Sequence, residues 1–125
     1  MGNRDIIVIG GSAGATAPLK DILSRLPADL PAAVFIVLHI AAQGIGVLAT
    51  VASSAARLPV RQAENGMLIE HGHIYLAPPD HHLLLFRDHM MLGRGPRENM
   101  VRPAIDPLFR SAALHYGPRV IGVIL

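Results

Sequence analysis

The sequence contains no cysteine. That excludes a disulfide scaffold, a thiolate nucleophile and any thiolate metal site. Charge is also scarce: 16% of residues are charged against 51% hydrophobic, the balance of a globular chain and not of a disordered one. Every basic residue except Lys20 is an arginine, the arginines form no stripe, and the formal net charge is +2. Nucleic acid is therefore not an expected partner. No apolar run approaches the roughly 20 residues that span a bilayer. The run Ile6 to Ile9, behind Arg4 and Asp5, is too short for the core of a signal peptide. These absences together give the expectation of a soluble, cytoplasmic protein without membrane insertion. Internal repeats, linkers and low-complexity segments are missing too, and 125 residues suffice for one domain with a real core.

What is present reads as α/β. Asp5 to Ile9 is a run of β-branched residues, the pattern of a strand buried on both faces. Ala17, Pro18, Leu19, Ile22, Leu23 and Leu26 then recur at helical spacing, with Pro18 tolerable only near a helix start. Val34 to Leu38 is a second buried strand ending at His39, and Val47, Leu48, Val51, Ala52 and Ala55 mark a second helix over 46–56. This opening predicts a doubly wound, mainly parallel sheet with right-handed crossovers and helices on both faces. The middle changes character. Val60 to Ala63, Met67 to Ile69, Ile74 to Ala77, Leu83 to Phe86 and Met90 to Gly93 are short runs between closely spaced turn signals such as Asn65-Gly66. They predict a hairpin-rich segment of short strands and no further crossovers. Gly95 to Pro103 reads as a polar loop and Asp106 to Tyr116, with Leu108, Phe109, Ala112, Ala113 and Leu114 apolar, as a third helix stopped by Gly117-Pro118. Val120 to Leu125 is a third buried strand.

Chemistry enters at Gly10-Gly11-Ser12-Ala13-Gly14, which has the G-x-S-x-G spacing of a nucleophile elbow between strand and helix. The glycines would permit a sharp turn and close backbone approach. The free N–H groups of the following helix would suit a developing oxyanion. Ser12 and His39 both follow strands expected to be parallel, so both belong at the carboxyl edge of the sheet, where open α/β folds bind ligands. A serine hydroxyl needs such a neighbouring base. The competing reading makes Ser12 a helix cap and His39 a polar strand end. A triad also needs a carboxylate. Asp5 begins a strand and belongs at the wrong edge, Asp21 and Asp29 fall on a helix surface and the loop after it, and Asp106 reads as the cap of the third helix. His71, His73, His81, His82 and His89 lie near separate turns, and read as solvated turn residues and not as metal ligands. No metal or cofactor is expected. Gly11 and Gly14 have only part of a dinucleotide fingerprint, which leaves phosphate binding at this turn as a weaker alternative.

Several stretches together resemble the catalytic domain of chemotaxis protein-glutamate methylesterases of the CheB type. They are Ile9-Gly10-Gly11-Ser12-Ala13-Gly14, Val37-Leu38-His39-Ile40, the run from Gly72 to His82 that includes Ala77-Pro78-Pro79-Asp80, then Gly95-Pro96-Arg97-Glu98-Asn99, and the run from Arg102 to Ala112. The resemblance covers essentially the whole chain in order. It implies hydrolysis of glutamate γ-methyl esters on the cytoplasmic helices of chemoreceptors, with glutamine deamidation in many relatives. Ser12 would be the nucleophile, His39 the general base and the Ala13 N–H an oxyanion donor. The order serine, histidine, aspartate differs from that of ordinary α/β-hydrolases. The family's aspartate lies in a loop after the strand that ends at Leu125. The expectation is a methylesterase catalytic domain over 1–125, lacking its C-terminal part and without a receiver domain. A non-catalytic receptor-binding module of the same fold is the alternative, and the oligomeric state is not legible.

Overall fold

The structure, a computed structural model, describes residues 4–39, 44–96 and 102–125, except for the side chains of Ala13 and Ile45. Five strands form one parallel sheet: β1 (Ile6–Ser12), β2 (Ala33–His39), β3 (Val60–Gln62), β4 (Ile74–Leu76) and β7 (Val120–Ile124), in the order β3-β4-β2-β1-β7. β5 (His82–Phe86) and β6 (His89–Gly93) form a separate antiparallel hairpin. Helices α1 (Thr16–Arg25) and α2 (Ile45–Ala55) cover one face of the sheet, where Leu19, Leu23, Leu48 and Ala52 pack on Ile9, Val34, Ile36 and Leu76. α3 (Ile105–Tyr116) and the hairpin cover the other, where Leu108, Ala112, Leu83, Leu85 and Met90 pack on Ile6, Val8, Phe35, Val37 and Tyr75.

The expected doubly wound sheet with helices on both faces is what the chain forms, and the apolar runs explain it. Residues of β1 and β2 alternate between the two cores, so a strand buried on both sides must be apolar throughout. α1 stops where Leu26 turns to extended backbone before Pro27. Gly117 ends α3 at φ +52, a conformation that favours glycine. Two of the apolar residues that mark these helices point outward: Val47 is 65% exposed and Leu114 78%.

The middle departs from expectation. Val60–Gln62 and Ile74–Leu76 are not hairpin strands; they pair in parallel with each other, and β4 continues the main sheet beside β2. The run at 67–69 forms no strand, only the bridge Leu68↔His89. Asn65-Gly66 makes no two-residue hairpin. Gly66 takes φ +82 and donates to the Met90 carbonyl, while Ile69 donates to Asp88 and Met90 to Met67. The stretch from β3 to β4 is thus a crossover that runs beside the hairpin. Only β5 and β6 fulfil the hairpin pattern.

Candidate functional site

β1 lies at the switch of the sheet, with β2 on one side and β7, reached much later in the chain, on the other. The carboxyl end of such a strand opens a crevice between diverging connections. Ser12 is the last residue of β1 and His39 the last of β2, and they are direct register partners. Adjacent strands lie roughly 4.8 Å apart, and residues abreast in register share a face. Ser12 follows Ile6, Val8 and Gly10 in alternation, and His39 follows Ala33, Phe35 and Val37, so both belong to the α3 side.

The hydroxyl of Ser12 is exposed and makes no capping bond to the turn Ala13–Ala15 or to α1 behind it. The helix-cap reading of Ser12 is therefore set aside. His39 is half-buried, and its Nε2 is fully buried without a hydrogen-bond partner. Among the described residues no carboxylate bonds to it. Asp106 is not the cap of α3 either: the cap position falls to Ala104, and Asp106 sits in the first turn, where its charge complements the helix dipole.

The glycines around Ser12 serve close packing, not a strained turn. Ser12 has extended backbone (φ −97, ψ 179), and neither Gly10, Gly11 nor Gly14 adopts a left-handed φ. A Cβ on Gly10 would stand 2.7 Å from Cγ2 of Ile105, the first residue of α3. One on Gly11 would meet Cβ of Ala15 at 2.9 Å and Leu38 at 3.3 Å. Gly14 has open space around it. The elbow therefore needs small residues at 10 and 11 so that α3 and the Ser12 turn can approach β1.

A second cluster lies at the same end of the sheet, and sequence reasoning assigned it no role. Asp80, in the turn after β4, takes a left-handed backbone (φ +61). Its Oδ1 accepts from Nε and Nη2 of Arg102 at 3.0 and 2.7 Å, and its Oδ2 from Nη2 of Arg94 at 2.6 Å. The Arg102 guanidinium, against the opposing cost of desolvation, holds the Asp80 carboxyl below its ordinary value. Nothing local in the sequence signals this pair, which is separated by 22 residues.

The histidines divide. His73 Nδ1 donates to the His71 carbonyl and His81 Nδ1 to that of Pro79, as turn residues do. His82 is not solvated: it is 4% exposed, its Nδ1 accepts from the Ala104 N–H, and its Nε2 donates to the Pro96 carbonyl. β5 begins one residue earlier than the apolar run suggested, which draws His82 under α3. Among the described residues no group of three or more His, Asp or Glu could hold a metal ion. At the opposite edge Asp5 is buried, held by Arg119 Nε and Nη2 at 2.8 Å each and by His71 Nε2 at 2.9 Å, which confirms that it lies far from Ser12 along β1. Ile40 and residues 97–99, including Glu98, lie outside the described residues.

A doubly wound α/β domain with serine and histidine abreast at the carboxyl edge has the frame of a serine hydrolase. The chain belongs to the CheB methylesterase family, whose model matches residues 7–125. A protein-glutamate methylesterase/protein-glutamine glutaminase of Methanosarcina mazei is 35% identical over 130 aligned positions, covering 98% of this chain and 35% of that protein. A putative protein of the same description from Leptospira interrogans is 38% identical over 98% of this chain and 64% of its own length. The crystal structure of the Thermotoga maritima CheB methylesterase catalytic domain superposes with a TM-score of 0.92 at 34% identity, over 99% of this chain and 67% of that one. The chain thus spans about a third of the Methanosarcina protein and two thirds of the solved domain.

Proposed function

We propose that this chain carries the nucleophile and base of a protein-glutamate methylesterase, with Ser12 attacking the γ-ester carbonyl of a methylated glutamate and His39 accepting its proton. The observation that carries the reading is the register pairing of Ser12 with His39, in which the hydroxyl is free of capping duty and the buried Nε2 has no hydrogen-bond partner. Attack forms the Ser12 Oγ–carbon bond and places negative charge on the carbonyl oxygen. The Ala13 N–H, at the start of the turn that follows, would donate to that oxyanion. His39 then returns its proton to the departing methoxide, releasing methanol, and a water activated by the same imidazole cleaves the acyl-serine. With a glutamine side chain the leaving group is ammonia, which gives deamidation by the same steps.

The names of the relatives support ester and amide hydrolysis at glutamate and glutamine. By the same family reading, the substrates are the cytoplasmic helices of methyl-accepting chemoreceptors, and the protein works in the cytoplasm. No helix among the described residues is long and apolar enough to cross a membrane. The resemblance implies a third member of the site, an aspartate, and no described carboxylate fills that place. The test is methanol release from a methylated receptor fragment. The reading requires release by the wild-type chain that falls to background in Ser12→Ala. Receptor binding without release, in this chain and in one extended past Leu125, would instead favour the non-catalytic binding module.

A further inference from the structure

We propose that Arg102 is a positioning residue for Ser12, acting through the seat of α3 on β1. The geometry stands by itself, and its catalytic consequence rests on the reading of Ser12 as nucleophile. Arg102 lies two residues before the cap of α3. Its side chain is only 12% exposed and makes four N–H···O contacts. Two go to Asp80 Oδ1, and Nη1 reaches the carbonyls of Gly95 at 3.0 Å and Arg94 at 3.3 Å. One guanidinium therefore ties the turn after β4 and the chain leaving β6 to the entrance of α3. The Ala104 N–H is fixed next, by His82. Ile105 follows, pressed against Gly10. Gly10 and Ser12 stand two apart on one face of β1, so Ile105 is the neighbour directly beneath Ser12 along the strand.

The pair is part-buried: the Arg102 side chain is 12% exposed and that of Asp80 43%. What the fork of Arg102 does is converge three segments on one point, which a planar five-donor group can do and a lysine ammonium cannot. Small displacements of a nucleophile are costly, about 100-fold for 1 Å.

The test uses the 125-residue chain labelled with nitrogen-15. Arg102→Ala should shift the amide signals of Gly10, Gly11 and Ser12 while leaving those of Asp5 and Arg119, at the far edge, in place. Guanidinium chloride at a few millimolar, well below denaturing levels, should return them toward wild-type positions, and Arg102→Lys should leave them displaced. In the ester assay kcat should fall about 10- to 100-fold in Arg102→Ala at unchanged KM, with the same guanidinium rescue. Two results overturn the proposal: amides at Gly10 to Ser12 that stay put while those of Arg94 and Gly95 move, or shifts throughout the chain that guanidinium does not reverse. If Ser12→Ala proved as active as wild type, the functional reading would fail, and the amide shifts would still decide the role of Arg102.

Discussion

Ile105 fills the space that any side chain on Gly10 would need: Cγ2, Cγ1 and Cδ1 all lie within 2.9 Å of where a Cβ would stand. This contact joins the entrance of α3 to the strand that ends in Ser12. Gly10→Ala is therefore an overpacking substitution in a region without slack. We expect a loss of about 1–3 kcal/mol in urea unfolding. Ile105→Ala in the same background should recover part of it, because all three crowding atoms are removed.

Ser12 presents the opposite case. Its hydroxyl bonds to no backbone N–H of the turn behind it, so folding does not depend on it. Ser12→Ala should unfold within about 0.5 kcal/mol of wild type. A capping serine would instead cost about 1 kcal/mol on the same substitution, and that result would return Ser12 to a structural role.

The far edge of the sheet is held by Asp5, which bonds to Arg119 ahead of β7 and to His71 ahead of β4. The Arg119 bonds, outweighing desolvation, with His71 adding to them, hold the Asp5 carboxyl below its ordinary value of 3.8. A depressed carboxyl stabilises the fold fully above its unfolded value and loses that contribution as pH falls through the lower folded one. Asp5→Asn should therefore cost about 2 kcal/mol near pH 7. The gap to wild type should narrow only as the pH drops below about 4, which unfolding measured as a function of pH would show.

His82 closes a different link, from the Pro96 carbonyl to the Ala104 N–H. Because Ala104 donates to Nδ1, the ring proton must sit on Nε2. Nitrogen-15 spectra of the ring should show that tautomer. His82→Ala leaves a buried N–H and a carbonyl unpaired and should cost at least about 2 kcal/mol.

The parts of this fold legible in the sequence are those where one residue type has one physical meaning. β1 and β2 announce themselves because strands buried on both faces admit only apolar residues, and Gly117 marks the end of α3 because it must adopt a positive φ. β7 is as apolar in sequence and was expected to be buried, yet it ends the strand order, none of its residues is buried, and Ile124 is 66% exposed. Ser12 and His39 were legible as a pair because parallel strands deliver their last residues to one edge. β3 and β4 were misread because three-residue strands carry no periodicity, and whether they pair in parallel or as hairpins is decided by tertiary neighbours. The same holds for Asp106, a good cap by type that α3 passes over because its cap falls two residues earlier, at Ala104. His82 and the Asp80–Arg102 pair were invisible for a further reason: their partners lie 14 to 22 residues away, across elements whose packing no local pattern specifies.

The central claim is that Ser12 is a nucleophile with His39 as its base, and covalent labelling tests it most directly. A fluorophosphonate ester is attacked at phosphorus by an activated serine, which displaces fluoride and leaves a phosphonyl adduct that mass spectrometry can place. We predict one adduct per chain, on Ser12, forming at least tenfold more slowly in His39→Ala. An adduct elsewhere, none at all, or labelling of His39→Ala at the wild-type rate would contradict the account.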